Sequence, residues 1–340
     1  MILLVFTNMK ICLYPGGIEH FKMGGIKTAF ENKKQAFMIN GVEYCCHPLV
    51  DSFDILQLEC PSPQSAFYAL WAQKNDKKIV MSTHVTVEDY KETFIFSKAT
   101  SSFLQNYLKW YYSLADMLIA PSEYTKELIV GYGVDRPITV ISNGLHPSFL
   151  DNVSSKNIKK NAKPVVGTAG FVTKRKGVIT FCNVAKGFPE CEFKWAGSVH
   201  ENLLFDVHSM KKPDNVVFLG YVDDIKNAYA SYDYFLFPSF EENQGIVLLE
   251  AASFGLPLIV RDLPVYDGWL FDGDNCLKCA NDPEFIEKLD LLLHDDVLRD
   301  KLSRNALCLA EHNNLKNIGK QILTCYTDLL NNHSKNHEFL

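Results

Sequence analysis

The sequence predicts an α/β protein made of two Rossmann-like domains that face each other across a cleft and are followed by C-terminal helices. Its 340 residues exceed what one hydrophobic core usually serves, so two domains of roughly 150 residues each are expected. Short apolar, β-rich runs alternate with amphipathic helical stretches, which is typical of domains with parallel sheets. The alternation stops at the polar segment 151–157, which we interpret as a linker, and then restarts.

Apolar runs of strand length define the elements of the first domain, 1–150. They predict strands at 11–14, 54–58, 79–82, 117–120 and 139–141. The intervening stretches 27–37 and 103–114 have the spacing of helices.

The same pattern returns in the second domain, 151–313. Its predicted strands are 165–166, 193–196, 216–219, 234–238 and 258–261. The chain is helical from about Pro283. We expect its last segment, 314–340, to cross back to the first domain.

Composition excludes several classes of protein. With 34 Lys and Arg against 40 Asp and Glu, the net charge of −6 argues against nucleic acid as a partner. The sequence contains no run of about 18 uncharged apolar residues, so no transmembrane helix is predicted. The N-terminal run 1–6 is interpreted as a strand, and Met9 is an alternative start of translation. Ten cysteines without framework spacing predict free thiols and a cytoplasmic location.

The most specific segment follows the predicted strand 234–238. A polar loop carries Glu242, and a helix begins near Gly245, where unpaired N–H groups would form an anion site. Glu250 lies eight positions after Glu242, about 12 Å along a helix axis. The two carboxylates would hold hydroxyls at both ends of a sugar diphosphate. Alternatively, Glu242 only favours the helix dipole and Glu250 is a solvated helix residue.

Three further motifs lie where ligands of parallel sheets bind. Arg175 and Lys176 follow a strand and would stabilise a leaving diphosphate, or they form a solvated basic turn. Gly24 and Gly25 begin a helix and would let backbone approach a phosphate, or they only start that helix. His84 ends a predicted strand. It would contact a ligand there, or it is a structural histidine.

Taken together, these motifs resemble the E-x7-E retaining glycosyltransferases of family four, which have the GT-B fold. The nearest resemblance is to bacterial glycolipid glycosyltransferases of the diglucosyl-diacylglycerol synthase type. It implies that His84, Glu242 and Lys176 act in catalysis. The donor-binding residues that it implies are Gly24, Gly25, Arg175, Lys176, Tyr221, Asn243, Gln244, Gly245, Ile246, Val247 and Glu250. The family usually has an arginine where this chain has Phe171.

The resemblance implies transfer of glucose or galactose from a UDP-sugar to a hydroxyl of a lipid or glycan, with no metal or other cofactor. Asp272-Gly273-Asp274 is interpreted as a turn, and Cys276 and Cys279 lack the second pair of ligands that a zinc site needs. Three alternatives remain: polysaccharide synthesis from another nucleotide sugar, epimerisation of a sugar nucleotide, and nucleotide-sugar binding without catalysis.

An aromatic-rich stretch at 90–112 bears on the acceptor. It contains eight aromatic residues and three lysines, so it would lie in a membrane interface as an amphipathic helix. Packing of the aromatic residues into the core of the first domain is the alternative, which the small number of lysines favours slightly. With membrane contact, the protein would be peripheral on the inner membrane face.

Overall fold

The computed structural model describes residues 9–18, 24–91, 97–150, 162–199 and 211–337. In these residues the strands are β1 Ile11–Tyr14, β2 Tyr44–Cys45, β3 Ile55–Leu58, β4 Lys78–Ser82, β5 Met117–Ala120, β6 Ile138–Val140, β7 Val165–Ala169, β8 Glu192–Ala196, β9 Val216–Gly220, β10 Tyr234–Phe237, β11 Leu258–Arg261 and β12 Leu277–Cys279. The helices are α1 Gly25–Ile39, α2 Pro63–Lys74, α3 Val87–Lys91, α4 Ser97–Tyr112, α5 Glu123–Gly131, α6 Pro147–Leu150, α7 Val178–Gly187, α8 Ile225–Ala230, α9 Ile246–Ser253, α10 Asp282–His294, α11 Asp296–His312 and α12 Leu315–His337. The predicted strand at 1–6 and the linker at 151–157 lie outside the described residues.

The chain divides into two compact units. The first contains the described residues up to Gly144 and those from Asn314 onward, and the second runs from Leu145 to Asn313. The expected boundary at 150 falls after this division, because Phe149 on α6 is buried against Tyr229 and Phe254 of the second unit.

The first unit is built on a parallel sheet whose six strands, among the residues described, have the order β2-β1-β3-β4-β5-β6. Side chains alternate between its two faces, as the pleat requires. Ile11 and Leu13 pack with α1 and α12 on one face, and Cys12 and Tyr14 pack with α2 and α4 on the other. Both faces of the sheet are therefore covered, as expected of a parallel sheet.

The second unit contains a parallel sheet with the order β12-β11-β10-β7-β8-β9, again six strands in the part of the chain that is described. Counted from β7, this is the 3-2-1-4-5-6 order of a Rossmann fold. Phe181, Phe193 and Trp195 form its core with α10 residues such as Phe285. The α/β class and the two Rossmann-like units predicted from the sequence are confirmed.

The predicted strands within the described residues agree with the structure to within a few residues. Two further strands, β2 and β12, were not predicted, and they contain only two and three residues. Each lies at one edge of its sheet and pairs with a single strand. A run that short shows no period that could distinguish a strand from a loop.

The packing of α12 against α1 predicts opposite effects of two glycine-to-alanine changes. A Cβ at Gly319 on α12 would lie 2.7 Å from the backbone oxygen of Ala36 on α1. We expect Gly319→Ala to lower the free energy of unfolding by about 1 kcal/mol or more, because overpacking outweighs the helix-propensity gain.

The matched control is Gly131→Ala at the end of α5, where a Cβ would meet no atom within 4 Å. This change is expected to stabilise the protein by up to about 1 kcal/mol. Urea unfolding of both variants measures the difference, and equal stabilisation by the two changes would contradict the close α1–α12 packing.

Candidate functional site

The candidate site of the second unit lies where the strand order of its sheet reverses, between β7 and β10. Ligands of open parallel sheets bind outside the carboxyl ends of the strands at such a point. The segment that follows β7 leads through Arg175 and Lys176 into α7, and the segment that follows β10 leads through Glu242 into α9. Topology therefore places the charged residues singled out from the sequence at one edge of the sheet.

Close packing between these two segments requires a glycine. Gly177 precedes α7 with φ of 80°, and a Cβ there would lie 2.2 Å from the backbone oxygen of Pro238. The backbone N–H of Phe240 donates to the carbonyl of Arg175 at 2.8 Å, and the Arg175 guanidinium donates to the carbonyl of Glu241 at 2.7 Å. These contacts fix the loop that carries Glu242 against the turn that carries Lys176.

Lys176 and Glu242 form a nearly buried ion pair. Burial alone would raise the pKa of the Glu242 carboxyl, but the positive charges of Lys176 and Arg175 outweigh it and hold the pKa below its ordinary value. The lysine ammonium also lies 5.3 Å from the ring centroid of Phe237. Glu242 is thus an ionised hydrogen-bond acceptor beside a cation.

The helix α9 adds donors and a second carboxylate. Gly245 caps it in the left-handed region with φ of 86°, and the first-turn amides of Ile246 and Val247 have no partners within the helix. The Tyr229 hydroxyl donates to the buried carboxylate of Glu250 at 2.7 Å. Burial raises the pKa of Glu250 to about 6, although this hydrogen bond lowers it in part.

The remaining residues that the sequence suggested for donor binding have different surroundings. Gln244 is buried in the loop before α9, and Asn243 is half-buried beside it. Tyr221 follows β9 at the edge of the sheet, and its side chain is 58% exposed. Phe171, in place of the family arginine, is also half-buried. Lys176 contacts Glu242 and Arg175 contacts the neighbouring Glu241, whereas Tyr221 follows the edge strand β9 of the same sheet.

A second charged cluster lies at the carboxyl ends of β3 and β4 in the first unit. His84 follows β4, and its Nε2 lies 3.1 Å from Oε2 of Glu59, which follows β3. Lys33 on α1 donates to Oε1 of Glu59 at 2.6 Å and to the Ser82 hydroxyl at 2.6 Å. Gly24 and Gly25 stand at the start of the same helix.

Sequence reasoning missed Glu59. The available signal was an acidic residue directly after a buried strand, at the edge where parallel sheets bind ligands. Burial would raise the pKa of Glu59, but Lys33 and His84 lower it to about 2. The carboxylate is therefore ionised although its side chain is fully buried.

The residues considered for metal binding have other partners. Asp272 pairs with Lys288 at 3.1 Å and accepts the backbone N–H of Lys278. Burial raises the pKa of both Cys276 and Cys279 to about 12, so both thiols stay protonated. In the described ranges, no group of three or more His, Cys, Asp or Glu is arranged to hold a metal ion. That the reaction needs no metal stays a prediction.

The described part of the chain includes no helix with both the length and the apolar character needed to cross a bilayer.

Two family models match the chain. The model described as Glycosyl transferases group 1 matches residues 151–307, and the model Glycosyltransferase Family 4 matches residues 47–149. The chain is similar to a processive diacylglycerol alpha-glucosyltransferase of Acholeplasma laidlawii, with 30% identity over 95% of this chain and 99% of the relative. An alpha-monoglucosyldiacylglycerol synthase of the same organism is 25% identical over 78% of this chain and 72% of its own.

Solved structures show the same architecture. The Anabaena protein HepE, in complex with UDP-glucose, superposes with a TM-score of 0.72 at 17% identity and covers 94% of this chain and 100% of its own. The fold and the two matched models define a glycosyltransferase with the GT-B architecture. The chain belongs to glycosyltransferase family 4, which confirms the resemblance seen in the sequence.

The Lys176–Glu242 pair predicts a marked loss of stability when one partner is removed. Lys176→Met leaves the buried Glu242 without its nearest cation, and we expect the free energy of unfolding to fall by roughly 3 kcal/mol at pH 7. The double variant Lys176→Met/Glu242→Gln should regain much of this loss, because it no longer buries an unpaired charge.

The control is Lys126→Met, whose ion pair with Glu123 is exposed, and its effect should stay within about 0.5 kcal/mol. Guanidinium unfolding of the three variants measures these differences. Equal losses in the two single variants would show that Lys176 and Glu242 do not form a buried pair.

Proposed function

We propose that the chain is a retaining hexosyltransferase that moves glucose or galactose from a UDP-sugar to a hydroxyl of a lipid acceptor. The observation that carries the proposal is the Lys176–Glu242 pair next to the start of α9, at the reversal point of the second sheet. This arrangement supplies cations and amides for a diphosphate, and carboxylates for hydroxyl groups.

The proposal gives each group one task. Lys176, Arg175 and the first-turn amides of α9 stabilise the diphosphate as it takes the electron pair of the broken sugar–phosphate bond. Glu242 accepts hydrogen bonds from the sugar hydroxyls, and Glu250 accepts them from the ribose.

Retention of configuration requires the acceptor to attack from the face that the diphosphate leaves. The acceptor oxygen then forms the new bond to the sugar, and its proton passes to the departing diphosphate. In this proposal His84 orients the sugar, the backbone at Gly24 and Gly25 approaches the phosphates, and no metal takes part. Tyr221, Asn243 and Gln244 complete the donor site.

Relatives support the lipid acceptor. The two described relatives from Acholeplasma laidlawii are named for glycosylation of diacylglycerol, and the first of them aligns with nearly the whole chain. Membership in a glycosyltransferase family also favours transfer over epimerisation of the donor or binding alone.

Surface residues of α4 support contact with a lipid surface. Tyr111 and Tyr112 pack in the core of the first unit, as the structural alternative for this stretch requires, whereas Phe103 is 78% exposed and Trp110 46% exposed. The stretch is thus divided between core and surface. Phe94 and Phe96 lie outside the described residues. We propose that the exposed side chains enter the membrane interface.

The proposed transfer is tested by UDP release. The protein is mixed with UDP-glucose, UDP-galactose and other nucleotide sugars, with and without vesicles that contain diacylglycerol or glucosyl-diacylglycerol. Lipid-dependent release is expected from UDP-glucose or UDP-galactose. Glu242→Gln should lower kcat at least about 100-fold, because it removes a charge that acts at the reacting sugar.

Glu241→Gln, one position away, serves as the matched control and should keep nearly full activity. Slow UDP release that does not depend on lipid would support the donor site but contradict the lipid acceptor, and soluble glycans would then be tested as acceptors. Turnover by Glu242→Gln near that of the unchanged protein would remove this carboxylate from the mechanism.

Donor affinity should depend on pH through Glu250. Its pKa of about 6 means that the carboxylate loses its charge as the pH falls through 6, and a protonated carboxyl accepts ribose hydroxyls less well. We expect the Kd for the UDP-sugar to rise up to about tenfold between pH 6.5 and 5.

Calorimetric titration at several pH values measures this change. Glu250→Gln should bind weakly at every pH, with a flat profile over the same range. If Glu250→Gln kept the full pH dependence of the Kd, that dependence would belong to another titrating group.

The membrane contact is tested by sedimentation with vesicles of anionic and neutral lipid. Phe103→Ser/Trp110→Ser should reduce the bound fraction several-fold, because it removes apolar surface from the interface. The matched control Phe271→Ser, an aromatic residue of the second unit that is 52% exposed, should bind as the unchanged protein does. Equal binding by all three proteins would refute contact through α4.

A further inference from the structure

Glu59 is a buried, ionised carboxylate to which the proposed function gives no task. Its side chain has no exposed surface, although an isolated ionised carboxylate is very costly to bury. Its contacts show what the charge does in this position.

The two oxygens of Glu59 have separate partners. Oε1 accepts hydrogen bonds from Lys33 at 2.6 Å and from the Gln57 amide at 2.8 Å. Oε2 accepts from His84 Nε2 at 3.1 Å. An ionised carboxylate has no proton to donate, so this hydrogen bond requires the proton to be on Nε2 of the imidazole.

The neighbours of Glu59 hold the carboxylate in this orientation. Lys33 reaches it from α1 and is itself hydrogen-bonded to Ser82 at the end of β4. Gln57 on β3 accepts a hydrogen bond from Tyr326 on α12. Lys33 and Gln57 bond the carboxylate directly and leave it little freedom to turn away from His84, whereas the Tyr326 hydroxyl bonds Gln57 and not Glu59.

We propose that Glu59 is a positioning residue that fixes the ring orientation and the Nε2–H form of His84, so that His84 acts on the substrate through Nδ1. Nε2 is committed to the buried carboxylate. Any proton exchange or new hydrogen bond of the imidazole during the reaction then uses the other nitrogen. The part of this proposal that concerns the reaction rests on the proposed function, whereas the part that concerns the tautomer does not.

The test uses a variant pair that removes the charge without leaving one unpaired. Lys33→Met/Glu59→Leu replaces the ion pair by apolar side chains of similar size, while Gln57 keeps its hydrogen bond to Ser82. Glu59→Asp retains the carboxylate. Tyr326→Phe is the matched control, because it removes a buried hydrogen bond of the same cluster and leaves the Glu59–His84 contact in place.

The first readout is the ¹⁵N spectrum of the histidine side chains, with His84 assigned by comparison with His84→Gln. In the unchanged protein and in Tyr326→Phe we expect His84 to carry its proton on Nε2. In the double variant we expect a mixture of both tautomers. An unchanged His84 pattern in a folded double variant would overturn the proposal, and this readout needs no enzymatic activity.

The second readout is steady-state UDP release. The double variant should lose about 10- to 100-fold in kcat with KM for the donor changed less than threefold, Glu59→Asp should recover part of the loss, and Tyr326→Phe should stay within threefold of the unchanged protein. Unchanged kcat despite a changed tautomer would refute the positioning role. Absence of transfer in the unchanged protein would instead refute the proposed function, and the spectrum would still decide the tautomer.

Discussion

The contact between Gly177 and Pro238 is the constraint on which the second unit's site depends. With 2.2 Å between a hypothetical Cβ and the Pro238 oxygen, only glycine lets the two loops meet. The loops carry Lys176 and Glu242, whose charges compensate each other only at that approach. The strand order places the two loops next to each other. The missing side chain of Gly177 lets them come close enough to form the ion pair.

The protein controls its buried carboxylates by the choice of neighbour. Glu242 and Glu59 face ammonium groups, which hold their pKa values below the ordinary range. Glu250 faces the hydroxyl of Tyr229, which compensates burial only in part and leaves its pKa near 6. All three side chains are nearly inaccessible, so burial alone does not decide their charge. Their charge depends on whether the nearest hydrogen-bond donor is an ammonium group or a neutral hydroxyl.

The features predicted correctly from the sequence are those that depend on a local pattern of residues. The strands β1, β5 and β11 were predicted to the residue because a buried parallel strand is largely apolar, and charged residues and prolines bound these three. Glu59 was missed because its partner Lys33 is far away in sequence and lies on a helix that shows no unusual spacing. The division of α4 into buried and exposed aromatic residues was equally hidden, since tertiary packing decides which side of an aromatic-rich helix faces the core.

The chain enters and leaves the second unit at neighbouring points. The backbone N–H of Leu145 donates to the carbonyl of Asn313 at 2.8 Å, so the two ends of this unit are already joined by a hydrogen bond. A segment with adjacent ends is topologically an insertion, and it can be exchanged without moving the ends of the host domain. Recombination at these two adjacent junctions would exchange the second unit between relatives while the first unit keeps its own residues, which gives such a family a short genetic route to new combinations.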